Sequence, residues 1–201
     1  MASRRGIPAW RRWPLLAAVL ASACQATEGA EVIRAGFAVG LTQSQVCIDR
    51  DRQGEGVPDV DLEGANGYGG FAEAVIADGS WDLHVRAVAR RSEHDVADSG
   101  TVADVREFAL LPMVSTRVPV FDGVDLKPLF GMGLGYTDVD LDPLLGLGER
   151  SGPTFVLAVG GEFEVARHAT IGAMWWGSLN GSFGDTEATF GVGMVYLGVR
   201  F

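Results

Sequence analysis

The 201-residue chain has no apolar run approaching the roughly 18 residues of a spanning helix, although 47% of its residues are hydrophobic. A membrane helix is therefore excluded as the place where that surface is buried. Lysine is nearly missing, with Lys127 the single example. A soluble strand protein keeps its outer face wet with Lys, Glu, Thr and Ser, so this scarcity counts against one. Positive charge is short overall: 16 Lys and Arg stand against 26 Asp and Glu, a net charge of −10. Four of the arginines, Arg4, Arg5, Arg11 and Arg12, lie in the first thirteen residues, and losing that segment takes the charge to −14. Such a chain argues against a nucleic-acid partner. Cysteine is limited to Cys24 and Cys47.

What is abundant is glycine, 28 residues, threaded through alternating segments. Residues 1–23 read as a cleaved secretory signal. The four arginines form the positive region, Trp13 to Leu20 begins a short apolar core, and Ala21-Ser22-Ala23 is a small-x-small cleavage site. Cleavage there leaves Cys24 first, which invites a lipidated Cys. However, Ala21 stands where the lipoprotein pattern places Leu, so plain cleavage is the expectation. Residues 24–201 are then one domain.

Eight segments alternate with a period of two, the signature of strands with two unlike faces. They run Val32 to Thr42, Gly67 to Ala77, Trp81 to Arg91, Asp104 to Arg117, Leu126 to Thr137, Pro153 to Val165, Ala169 to Leu179 and Ala188 to Phe201. In the first, Ile33, Ala35, Phe37, Val39 and Leu41 share a face, with Arg34, Gly36, Ala38, Gly40 and Thr42 opposite. In the third, Trp81, Leu83, Val85, Ala87 and Ala89 oppose Asp82, His84, Arg86, Val88 and Arg90. The second face is small residues plus a few charges, which suits a crowded interior rather than a water-facing surface. The connections alternate long and short, the longest being Gln43 to Asn66, Ser92 to Ala103 and Asp138 to Gly152. Aromatic residues fall at the strand ends: Tyr68, Tyr136, Trp175 and Trp176 at one end, Trp81, Phe163 and Phe201 at the other.

The tail ATFGVGMVYLGVRF ends on Phe201, with Val199, Leu197 and Val195 at alternate positions before it. It resembles the C-terminal strand of bacterial outer-membrane β-barrels. The span from residue 24 onward resembles the small OmpA-like and opacity-protein-like surface-antigen barrels. That resemblance implies an all-β, eight-stranded, antiparallel, up-and-down transmembrane barrel in the outer membrane, with short periplasmic turns and longer outer loops. It implies outer-membrane lipids and lipopolysaccharide as surroundings, and the barrel-assembly machinery as a partner that reads the C-terminal strand. It leaves no room for an appended peptidoglycan-binding domain. The barrel also sets Cys24 and Cys47 at opposite ends of the first strand, roughly 30 Å apart, so two unpaired thiols are expected rather than a disulfide.

Three groups of residues are candidates for chemistry. Arg34, Glu73, His84, Arg86, Arg90, Glu107, Lys127, Glu162 and Glu164 fall on the small-residue faces. Inside a barrel they must pair, either as a packed polar plug or as a narrow gated ion path. The acidic stretch 49–63, with Asp49, Asp51, Glu55, Asp59, Asp61 and Glu63, loosely resembles a calcium loop. Gln53 and Val60 occupy ligand positions, so it reads as a solvated loop, with divalent cations the alternative. The histidines are the third group. His168-Ala169-Thr170 is similar to the His-x-Ser of lipid A deacylases, but with Thr in place of Ser, and His94-Asp95 is expected in an outer loop. No residue is assigned a catalytic, cofactor-binding or metal-binding role. The expected function is structural or surface-interacting, without catalysis; a narrow channel is the rival and a lipid A-modifying enzyme the minor one.

Overall fold

The computed structural model describes residues 34–49, 60–77, 81–96, 102–140, 149–183 and 186–201. These form nine strand segments: β1 (Arg34–Asp49), β2 (Val60–Ala77), β3 (Trp81–Asp95), β4 (Val102–Thr116), β5 (Val118–Phe121), β6 (Val124–Asp140), β7 (Glu149–Val165), β8 (Ala169–Phe183) and β9 (Thr186–Arg200). Chain neighbours pair antiparallel, except that β4 and β5 do not pair with each other; β1 pairs β9, and β4 pairs β6. The sheet is therefore closed. The fourth stave is broken at Arg117, where β5 continues β4 along the edge of β6. Eight staves and nine segments describe the same barrel. Closure of the eight staves removes the open edges of a flat sheet, which is the condition for β-structure in lipid, while the short β5 pairs with β6 alone.

The two faces fall as the alternation requires. Phe37, Val39 and Leu41 of β1 point outward, as do Phe130, Met132 and Leu134 of β6 and Val195, Leu197 and Val199 of β9. The buried core lies within the barrel and includes Phe71, Val88, Leu111, Met174, Trp176, Met194 and Tyr196. An eight-stranded barrel is just narrow enough for its own side chains to fill it.

The staves are longer than the alternation suggested. β2 spans 18 residues and β6 and β7 span 17, where eleven, twelve and thirteen were expected. A strand of 15 residues reaches roughly 50 Å along its axis, well beyond an apolar band of about 25 Å even when tilted. The walls thus continue above the lipid region, and much of each expected outer loop is paired strand. The polar residues there hid this from the sequence, because antiparallel pairing needs hydrogen bonds, not apolar side chains. The expected loop Asn180 to Glu187 is mostly strand as well, with β8 ending at Phe183 and β9 beginning at Thr186.

At the other end the turns are tight. Gly123, at φ 76°, closes the link between β5 and β6. Ala166 and Arg167 both sit at positive φ, 48° and 63°, in the β7–β8 turn, where the His168 N–H donates to the Val165 carbonyl at 3.0 Å. The Ala166 N–H also reaches the Gly123 carbonyl at 2.7 Å, tying the two turns together. Phe201 and Ala35 exchange both backbone hydrogen bonds, at 2.8 and 3.0 Å, so the terminal residue is part of the wall. The expected signal segment 1–23, Cys24, the turn at Asp78-Gly79-Ser80 and acidic residues 51–59 lie outside the described residues. Cys47 lies at the far end of β1, opposite Asp61 and Thr189.

Candidate functional site

All nine charged residues expected on the inner faces are inside the barrel, and they separate into two layers. The lower layer is nearer the short turns. Glu73 of β2 accepts from Arg86 Nε at 2.7 Å, from Arg200 Nε at 2.6 Å and Nη2 at 3.1 Å, and from His84 Nδ1 at 3.0 Å. A carboxylate only accepts, so His84 carries a proton on Nδ1, and its Nε2 lies 2.8 Å from the Ser115 hydroxyl. Glu162 of β7 accepts from Arg86 Nη2 at 2.7 Å, Arg200 Nη2 at 2.5 Å and the Tyr196 hydroxyl at 2.8 Å. Glu164 accepts from Lys127 at 3.0 Å, from Arg34 at 3.1 Å and from Arg200. Lys127 also meets Asp82 at 2.5 Å, and Arg117 reaches the same oxygen at 3.3 Å.

Every acid of this layer thus meets at least two cations. The Arg86 guanidinium lies 4.4 Å from the centre of the Phe71 ring and places Nη1 3.8 Å from Met174 Sδ. With Ser115 on β4 and Met174 on β8, the layer draws a side chain from every stave. Missing side chains make room for it. A Cβ at Gly172 would stand 2.6 Å from the Tyr196 ring, and one at Gly36 would stand 3.0 Å from Arg200 Cγ.

Phe71, Val88 and Met194 form an apolar tier above it. Over that tier lies the upper layer, built on one ion pair. Arg90 Nε donates to Glu107 at 2.6 Å, and the Trp176 indole N–H donates to the other oxygen of Glu107 at 2.9 Å. Arg90 Nη1 donates to Ser92 at 2.9 Å. Ser92 and Ser44 both approach His94 Nε2, at 2.9 and 3.0 Å. Among the described residues, Arg90 Nη2 and the hydroxyls of Thr42, Thr137 and Thr154 are buried and make no hydrogen bond.

Several expectations need correcting. His94 is not in an outer loop: it is on β3 and fully buried in the lumen, because the strand runs on past Arg91 and keeps even-numbered residues inward. Its serine partners come from β1 and from two residues back, a contact that sequence spacing gives no hint of. Arg200 was not among the residues singled out, although its parity with Tyr196 and Met194 marked it as inward. Asp82 was placed on the inner face but not in the group. Trp175 and Trp176 split as adjacent strand residues must, the first outward and the second fully buried. His168 lies exposed in the β7–β8 turn, with Thr170 buried beside it on the barrel's inner side.

A family model described as outer membrane protein beta-barrel domain matches residues 15–200. Among solved structures, Ail, the attachment invasion locus protein of Yersinia pestis, is similar with a TM-score of 0.50 and 18% identity, over 84% of this chain and 98% of that one. Neisserial surface protein A gives a TM-score of 0.48 and 16% identity, over 86% and 98% of the two chains. The outer membrane protease OmpT of Escherichia coli gives 0.44 and 8%, also over 86% and 98%. At these identities the likeness is one of fold. No curated protein matches the chain.

Proposed function

The chain belongs to the outer membrane protein β-barrel family, and from that premise we propose that it acts as a closed structural or surface-interacting barrel rather than as an open pore or an enzyme. The observation that carries this reading is the lower layer. Arg86 and Arg200 together bridge Glu73 on β2 to Glu162 on β7, and both acids are buried. An ion crossing this layer has to displace charges held by multiple partners in a low-dielectric interior, which is costly. A catalytic role is disfavoured by the enclosure of the serine–histidine group. His94 is 0% exposed, so a lipid or protein substrate does not reach it from the membrane.

The C-terminal strand supports a partner as well. Phe201 is 72% exposed at the end of a wall of alternate apolar residues, which fits recognition by the barrel-assembly machinery. Lipopolysaccharide and outer-membrane lipids surround the barrel in this reading, and divalent cations at the outer loops remain part of it. The second reading, a narrow ion path, rests on the upper layer. There a single ion pair and unsatisfied hydroxyls line the lumen with groups able to receive an ion or water. Single-channel recording of the refolded protein in a planar bilayer separates the two. The proposal expects no stable open level; a steady, resolved open level would overturn it.

A further inference from the structure

The wall closes where the first strand meets the last. β1 and β9 pair from the Gly36–Arg200 rung to the Asp49–Glu187 rung. A slip of one residue would turn every side chain of β9 to the wrong face, so the wall itself forbids it. A slip of two keeps every face. On the outside such a slip costs little. Phe37 stands beside Val199, Val39 beside Leu197 and Leu41 beside Val195, and these apolar partners are interchangeable.

On the inside one rung is unlike its neighbours. Arg200 of β9, Gly36 of β1, Glu73 of β2 and Arg86 of β3 stand in line across four strands. Gly36 carries no side chain to block the way, and a Cβ there would stand 3.0 Å from Arg200 Cγ. The guanidinium therefore crosses β1 and grips Glu73, with Nε at 2.6 Å and Nη2 at 3.1 Å. The same guanidinium donates to Glu162 from Nη2 at 2.5 Å and to Glu164 from Nη1. Both of those acids are on β7. Arg200 thus holds carboxylates two strands away on either side, and its bond to Glu73 crosses the seam.

Either two-residue slip destroys this rung. In one direction Arg200 comes to lie opposite Ala38, in line with Phe71 and Val88, with a methyl in its path and no acid. In the other it comes to lie opposite Arg34, in line with Val75 and His84, and two like charges face each other. Both move the guanidinium roughly 7 Å along β1, out of reach of Glu73. Tyr196 adds a steric preference, since a slip exchanges its opposite number Gly40 for Ala38 or Thr42. We infer that Arg200 sets the register in which the barrel closes, and with it the stagger of the staves. The apolar alternation chooses the face, and the buried ion pair chooses the rung. Fixing register is the best-attested use of a buried ionic group. The inference concerns how the sheet closes and stands whether or not the lumen conducts.

The test is disulfide mapping of the seam in the refolded full chain, with Cys24→Ser and Cys47→Ser removing the native thiols. Gln43→Cys is combined in turn with Gly193→Cys, Val195→Cys or Gly191→Cys. Gln43 is exposed opposite Gly193, and a Cβ at Gly193 or Gly191 meets nothing closer than 3.5 Å. In the native register positions 195 and 191 lie diagonal to 43, roughly 7–8 Å away and past the reach of a disulfide. After mild oxidation, mass spectrometry of the joined peptides reads the register. With Arg200 present, only the Gly193→Cys pair should join. Arg200→Met should add a slipped product at position 195 or 191, as abundant as the native one, and Arg200→Lys should return joining to position 193 alone. Glu73→Gln, which leaves Arg200 held by Glu162 and Glu164, should also give the slipped product, and it decides the matter if Arg200→Met does not close. Joining at position 193 alone in Arg200→Met, or in Glu73→Gln, would overturn the inference. So would slipped products in the chain that keeps Arg200 and Glu73, or as much of them with Arg200→Lys as with Arg200→Met.

Discussion

The two charged layers of the lumen are built from the same residue types and differ in redundancy. In the lower layer Arg86 serves Glu73 and Glu162, and Arg200 serves Glu73, Glu162 and Glu164. Removing any one bridge leaves others. In the upper layer, among the described residues, Arg90 has Glu107 alone as an ion-pair partner, and Glu107 has Arg90. Trp176, Ser92, Ser44 and His94 complete it. Redundant bridging makes a network rigid and closed, whereas a single bridge with spare donors and acceptors can rearrange. The difference places the barrier to passage in the lower layer and leaves the upper one adaptable.

Arg90→Met should produce the largest effect. It leaves Glu107 inside the barrel with the Trp176 N–H and without its cation, and breaking a buried pair in this way costs about 3–5 kcal/mol. Urea unfolding in lipid vesicles, followed by tryptophan fluorescence, measures it. Leu134→Arg calibrates the wall against the lumen. Leu134 faces outward at 68% exposure, and an arginine at mid-depth on the lipid side costs about 2–4 kcal/mol. An unchanged unfolding midpoint would mean that this face does not meet lipid.

Arg86→Met should cost less than Arg90→Met, about 1–3 kcal/mol, because Glu73 and Glu162 both keep Arg200 as a charged partner. If the two arginine variants unfold alike, the contrast between the layers fails. The smallest effect lies outside both layers. Ala166→Asn with Arg167→Gly supplies the residues a turn with two positive φ values prefers, relieving roughly 1 kcal/mol per residue of strain. The double variant should shift the midpoint upward without altering either layer.

The barrel itself was readable because alternation is a local signal. Phe37, Val39 and Leu41 against Arg34, Gly36 and Ala38 settle two faces within a single segment. The charged lumen followed from the same parity. What was not readable is whatever depends on register between staves. The meeting of Glu73 with Arg200 joins residues 127 apart, and the convergence of Ser44, Ser92 and His94 joins two strands whose pairing no local pattern states. Strand ends were misjudged for a related reason. Gln43, Gln45, Glu93 and Asp95 look like loop residues, yet they lie on paired strand that continues above the apolar band.

The claim that the lower layer closes the barrel is tested most directly by planar-bilayer recording of three refolded proteins. They are the unaltered chain, Arg86→Ala with Glu162→Ala, and Arg90→Ala with Glu107→Ala. The account predicts no stable open level for the unaltered chain or for the upper-layer variant, and clear openings for the lower-layer variant. A steady open level in the unaltered protein, or openings as frequent in the upper-layer variant as in the lower, would contradict it.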